Sequence, residues 1–371
     1  MMGESNVIIR PPARIARSVT SAMRHNNGAL GITGLLVLLG FVCVVSLGTG
    51  AIAIPPSQVI AILGHQLQLP LPWDFEPHHH AIIISIRLPR VLLGVLIGGG
   101  LAISGAAMQG LFRNPLADPG LIGVSSGAAV AAVAVIVLGS TALDFAIHAL
   151  GPFALSIAAF GGGAATTFLV YSLSLVHGRV AVSTMLLAGI AINAVAGAIT
   201  GIFTFIADDA QLRSLTFWSL GSLGGATWPV VGATAPLICF SSLAALRYAR
   251  PLNALLLGED EAGHLGYRIE HLKRSLVLLV AAAVGAAVAV AGIIGFVGLV
   301  VPHLLRLTLG PDHRLLLPGS ALLGASLLLG ADLIARVVVA PAELPIGIVT
   351  AIIGGPFFMY LLQRGRRLGR Y

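Results

Sequence analysis

The residues of this 371-residue chain that could carry nucleophilic, metal or nucleotide chemistry are few, and their spacing argues against each use. His78, His79 and His80 are consecutive, so their rings cannot all converge on one ion without an unusual backbone. No helical i, i+4 histidine pair and no cysteine partner completes a ligand set. They read as part of a solvated loop beside Glu76, and no metal site is expected. His303, after Pro302 in an apolar run, reads as a packing histidine. Ser183 with His177, and Ser104, lack the base and orienting group that make a nucleophile. A phosphate-cradling G-x-x-x-x-G-K-[ST] loop is excluded, because the only lysine, Lys273, stands between Leu272 and Arg274. Any ATP hydrolysis tied to this chain therefore belongs to another polypeptide. Cys43 and Cys239 lie far apart inside apolar runs and read as small packing residues. Asp332, at the end of an apolar run, is a lone carboxylate, which suits a structural hydrogen bond better than a proton relay. The chain reads as non-catalytic, with no cofactor of its own.

The elements that would position these groups are membrane helices. Hydrophobic residues make up 57% of the chain and charged residues only 9%, where a soluble domain carries about a quarter charged. Crossing a bilayer takes about 20 helical residues. Stretches free of Asp, Glu, Lys and Arg run over residues 29–47, 91–112, 121–143, 149–176, 180–206, 214–246, 275–305, 315–331 and 344–363. The 46 glycines argue for close helix packing, since small residues let backbones approach in a bilayer. Arginines cluster before the first stretch (Arg10, Arg14, Arg17, Arg24) and after the last (Arg364, Arg366, Arg367, Arg370), which predicts both termini on the cytoplasmic side. Parity then requires an even number of crossings. Residues 275–305 are flanked by basic residues on both sides, so they must go out and return, turning near Gly292–Gly295, with a short returning helix over 296–309. That makes ten crossings and leaves only Arg87, Arg90, Arg213 and Arg336 outside.

The expected class is therefore all-α: a polytopic membrane protein with ten transmembrane helices. Residues 1–28 form a cytoplasmic segment, 29–364 one transmembrane domain and 365–371 a cytoplasmic tail. Within the domain, 51–86 is an external excursion with an amphipathic stretch over 55–69, and 247–274 is the most charged internal loop. The first stretch reads as a retained helix rather than a cleaved signal. With 6% aromatic residues and arginines placed only between apolar runs, nucleic-acid binding is excluded. An ion-coupled secondary transporter would need buried ionisable groups that are almost absent, and a membrane enzyme would need a cluster of them at one depth.

Several motifs go further. Arg87-Leu-Pro-Arg90 is followed by Ser104-Gly-Ala-Ala-Met-Gln109, by Arg113-Asn-Pro-Leu-Ala-Asp-Pro-Gly120 and by Gly123-Val-Ser-Ser-Gly127. Then come Leu257-Gly-Glu259 with Leu265-Gly266, Gly295-Phe-Val-Gly-Leu-Val-Val-Pro-His303, Asp312-His-Arg-Leu-Leu-Leu-Pro318 and Glu343-Leu-Pro-Ile-Gly347. In order and spacing these resemble the FecCD-type permeases, membrane subunits of type II ABC importers for vitamin B12, ferric siderophores and haem. The run from Gly110 to Gly127 and Thr216-Phe-Trp-Ser-Leu-Gly-Ser-Leu-Gly224 are most similar to haem permeases. The resemblance implies a homodimer in the bacterial cytoplasmic membrane, two cytoplasmic ATPase subunits that use the ATP, and a periplasmic haem-binding protein that delivers cargo. It also implies roles. Arg87, Arg90 and Arg336 would dock the binding protein, a task suited to the guanidinium's bidentate grip on carboxylates. Asn114, Leu116, Val182 and Ser183 would line the cytoplasmic gate, although Val182 replaces a small hydroxyl residue of the cobalamin pattern. Leu257, Gly258, Glu259, Ala262, Leu265 and Gly266 would contact the ATPase. A ferric siderophore or cobalamin is the alternative cargo.

Overall fold

The computed structural model describes residues 13–69, 72–139 and 141–367; Arg10, Arg370 and the extreme ends of the two terminal segments lie outside the described residues. Seven helices are long and apolar enough to cross a membrane: Gly28–Gly48, Pro77–Leu111, Ile147–Leu173, Val182–Ile206, Trp228–Leu246, Ile269–Ala291 and His313–Val337. Three shorter apolar helices, Val124–Leu138, Val297–Thr308 and Ile346–Tyr360, complete ten among the described residues. They are called here the first to tenth crossings in chain order. The out-and-back turn stands where charge parity put it. The seventh crossing stops at Ala291, Gly292 takes a left-handed φ of 70°, and the eighth starts at Val297.

Burial ranks the crossings. In the second, 83% of the most apolar stretch is buried, against 11% in the first and fifth, so the second is the bundle's central post. Backbone-to-backbone packing explains why glycine is so common there. A Cβ on Gly98 would lie 2.5 Å from the carbonyl oxygen of Gly324 on the ninth crossing, and one on Gly105 would overlap the carbonyl of Gly298 on the eighth. No side chain fits such contacts. Around this post Leu93, Ile97, Met108, Leu276, Leu316 and Leu328 form the main apolar core.

The structure departs from the charge-free stretches in four places. Residues 214–246 are not one helix: Asp209–Leu220 forms a separate helix, capped by a reciprocal Asp208–Gln211 box, and the crossing starts only at Trp228. The break follows from Gly221 at φ 72° and from Pro229 in the next helix's first turn, where its missing N–H is harmless. Within the expected external excursion, 51–86, Pro77–Ile82 and a π-helical turn over Ile83–Arg87 continue without a break into the helix Leu88–Leu111. The excursion's amphipathic stretch is the helix Pro56–Gln66. The third crossing ends at Leu138 rather than near 143. Residues 175–180 form a two-residue hairpin, Leu175–Val176 with Arg179–Val180, turned through His177 and Gly178, both at positive φ.

Candidate functional site: docking and coupling surfaces

At the end expected outside, the structure brings the three expected docking arginines into one cluster. Arg90 straddles two carboxylates. Its Nη2 donates to Asp332 Oδ1 at 2.8 Å and to Glu343 Oε2 at 2.9 Å, and its Nη1 donates to Glu343 Oε1 at 2.8 Å. Arg336 reaches the other Asp332 oxygen through Nε at 3.0 Å, and its Nη atoms donate to the Ser46 hydroxyl at 2.8 Å and the Thr49 carbonyl at 3.1 Å. Arg87 donates from Nη1 to the Leu47 carbonyl at 2.6 Å and from Nη2 to the Ile52 carbonyl. Position follows from the elements: the π turn and second crossing carry Arg87 and Arg90, the ninth carries Asp332 and Arg336 one helical turn apart, and the loop before the tenth carries Glu343.

This changes what the arginines can do. Asp332 is fully buried, Arg87 is 6% exposed, and all three guanidinium groups are engaged within the chain. They are not open forks facing solvent in this conformation. The member that does face solvent is Glu343, whose side chain is 42% exposed. Charge reversal at Arg87 would therefore disturb the fold at this end as well as any docking. Sequence spacing could not reveal this pairing, and it missed Glu343 altogether. The signal lay in the Glu343-Leu-Pro-Ile-Gly347 motif, whose one charged residue is Glu343.

The Arg90 hydrogen bonds and charge hold the Glu343 carboxyl below the usual carboxylate range, with burial and Arg336 as opposing and assisting influences. A depressed carboxyl pKa contributes stability that is present at neutral pH and lost as pH falls through the folded value. The thermal midpoint of Glu343→Gln should therefore lie below that of the wild type at pH 7, with the gap closing as pH falls below about 4. A gap that persists unchanged at low pH would remove the ion pair from the explanation.

At the opposite end, Lys273 is the hub. It is 3% exposed, and its Nζ donates to Glu259 at 2.7 Å, to Glu270 at 3.3 Å and to the Val180 carbonyl at 2.9 Å. Glu270 in turn accepts from the Val180 N–H at 2.8 Å. One lysine thus ties the short helix Glu259–His264 to the hairpin and to the seventh crossing. Of the expected ATPase-contact residues, Leu257 and Leu265 are 67% and 62% exposed, one on either side of the short helix. Ala262 is fully buried and anchors the helix instead, Glu259 is taken up by Lys273, and Gly258 and Gly266 flank the helix at positive φ. Lys273→Met leaves two carboxylates without their cation, so hydrogen exchange across 257–266 should speed up at least tenfold while the bundle core stays protected.

Asn114 and Leu116 sit in the connection after the second crossing. Asn114 Oδ1 accepts from the Leu116 N–H at 2.9 Å, an Asx turn that leaves Leu116 44% exposed. Val182 and Ser183 open the fifth crossing at the same end, half-buried and exposed respectively. No hydrogen bond joins the two pairs among the described residues. Asn114 also lines a cavity of about 240 Å³, together with Gln109, Arg113, Leu256, Arg306 and His313. Asn253 braces its rim, accepting from the His313 N–H and Nδ1 and donating to Asp312 at 2.6 Å. Burial would raise the Asp312 carboxyl pKa, but the Arg314 N–H, Asn253 and neighbouring positive charge hold it below the usual range.

Residues 36–364 match the FecCD transport family. The chain is 51% identical over 287 residues to a hemin transport system permease, HmuU, of Yersinia pestis, covering 77% of this chain and 84% of that one. It is 44% identical over 294 residues to a cobalamin import permease, BtuC, of Halobacterium salinarum, covering 79% and 76%. It is 42% identical over 310 residues to a vitamin B12 import permease, BtuC, of Escherichia coli, covering 82% and 90%. Among solved structures, a metal-chelate type ABC transporter in an inward-facing conformation superposes with a TM-score of 0.76 at 32% identity, covering 90% of this chain and 98% of that one. The ten-helix bundle, the absence of any P-loop in the sequence and these matches agree: the chain belongs to the FecCD transport family, as a non-catalytic, multi-pass inner-membrane permease subunit of an ABC importer whose nucleotide is used by a separate ATPase subunit.

Proposed function

We propose that this permease carries haem inward across the bacterial cytoplasmic membrane as a homodimer, with both termini cytoplasmic. Two ATPase subunits would sit beneath the Leu257–Leu265 surface, and a periplasmic haem-binding protein would dock on the Arg90–Glu343 cluster. The observation that carries the cargo reading is the 51% identity to a hemin permease, against 44% and 42% to cobalamin permeases. The arginine-rich ends support the orientation. The fifth crossing supports the dimer: Leu187, Ile190, Ile202 and Phe205 are 59–89% exposed, and a second copy would cover part of that face.

Docking would work by exchange. A carboxylate of the binding protein would displace Glu343 from Arg90, so that the grip passes from an internal acid to an external one without leaving the guanidinium unpaired. The gate at Asn114, Leu116, Val182 and Ser183 would open as the coupling helix moves with the ATPase. The reading is tested by reconstituting the permease with its ATPase and binding protein in vesicles and comparing ATP-driven uptake of haem, a ferric siderophore and cobalamin. Haem uptake at least tenfold above the other two is expected. Equal or better uptake of either rival would reassign the cargo, and accumulation without ATPase would overturn the importer mechanism.

A further inference from the structure

The turn that opens the helix of the second crossing carries chemistry that neither docking nor coupling uses. Glu76, His78 and His79 each offer one ligand atom, and these atoms lie within 4.8 Å of one another. Consecutive histidines were expected to diverge, and His80 does: its Nε2 accepts from Gln66 Nε2 at 3.1 Å, and its ring stacks on Phe75. The other two converge because the helix Pro77–Ile82 begins just after Glu76. The Glu76 carboxylate caps no backbone N–H of that helix and instead lies 3.2 Å from His78 Nε2. The His78 and His79 rings are 4.2 Å apart between centroids.

His79 is held in place from outside the cluster. Its ring is buried, and Nδ1 donates to Gln58 Oε1 at 2.6 Å, an atom that can only accept. With Nδ1 carrying the proton, the lone pair is on Nε2, the tautomer that a hydrogen-bonded metal ligand needs.

We propose that Glu76, His78 and His79 bind one divalent first-row transition ion of the zinc class on the face expected outside. Two imidazoles and one carboxylate suit such an ion, whereas calcium and magnesium take oxygen ligands. Bonds of about 2.0–2.1 Å in a tetrahedron put ligand atoms about 3.3 Å apart. The 3.2 Å between Glu76 and His78 already meets this, and side-chain rotation brings in the third ligand. Water completes the fourth position, since the Glu76 and His78 side chains are 57% and 60% exposed. Haem iron does not fit this set, because the porphyrin occupies the equatorial positions and leaves only axial ones. The site therefore stands whether or not haem is the cargo.

The test uses the full-length permease in nanodiscs, free of affinity-tag histidines, titrated with Co²⁺ as an optical probe and then with Zn²⁺. One Co²⁺ per chain is expected, with the visible bands of a four-coordinate nitrogen and oxygen site and full displacement by Zn²⁺. Affinity should fall about 100-fold in His78→Ala and at least 10-fold in Glu76→Gln, both exposed positions whose loss leaves the fold intact. Gln58→Leu, which keeps every ligand, should weaken binding 10-fold or more. His80→Ala should bind as the wild type does. The proposal is overturned if the wild type shows no saturable Co²⁺ binding or His78→Ala binds unchanged. An equal loss in His80→Ala also overturns it, since that would mark unspecific uptake by surface histidines.

Discussion

Asp332→Ala should lower the unfolding free energy by about 3–5 kcal/mol, the range for removing one partner of a buried ion pair. Asp332 has no solvent contact, and both its oxygens are engaged, Oδ1 by Arg90 and Oδ2 by Arg90 and Arg336 together. Taking it away leaves two largely buried guanidinium groups with one carboxylate, Glu343, which only Arg90 contacts. The cost comes from the stranded charges rather than from the lost attraction. Adding Arg336→Met to Asp332→Ala should therefore recover part of the loss. Reversible unfolding in mixed micelles measures both. A single variant within about 1 kcal/mol of wild type would place the cluster in the class of exposed, weak pairs.

Gly105→Val should damage both stability and transport. A Cβ at position 105 would overlap the Gly298 carbonyl, which is backbone and cannot swing aside. The second and eighth crossings would have to separate, opening voids around Val297, Val301 and Met108, all buried. Overpacking of a tight core costs about 1–3 kcal/mol, and more where backbone must move. Because the eighth crossing leads into the cavity beside Asn114, ATP-driven uptake should also fall at least tenfold. Gly232→Ala is the control: it lies in the exposed face of the sixth crossing with nothing within 4 Å, so it should be neutral or slightly stabilising. If both variants behave alike, close backbone packing is not what the glycines of the second crossing provide.

The legible features were those set by hydrophobic runs and basic clusters. The ten crossings, including the short eighth and its turn at Gly292, followed from apolar length and arginine parity. The charged segment 247–274, read from the sequence as one loop, instead holds two short helices, Ala249–Leu255 and Glu259–His264. The boundaries that went wrong did so for a shared reason. Residues 214–220 carry no acid, lysine or arginine, yet they form part of a separate helix, because a backbone break at Gly221 is invisible to hydropathy. At residues 77–87 the helix runs on through three histidines and Arg87, residues that end a charge-free apolar stretch without ending a helix.

Composition, charge placement and motif order by themselves determined that this chain is a helical membrane permease without its own ATPase, since bilayer thickness and the cost of burying charge act directly on local sequence. Only the tertiary structure decided which side chains face each other. Arg90 meets Asp332 across 242 residues, Lys273 meets Val180 across 93, and Glu76 turns back on His78. Such meetings depend on how the helices pack and where each turn begins. So the residues that read in the sequence as docking arginines, a lone lysine and a solvated histidine run also form, in the folded chain, two internal charge hubs and a candidate ligand set.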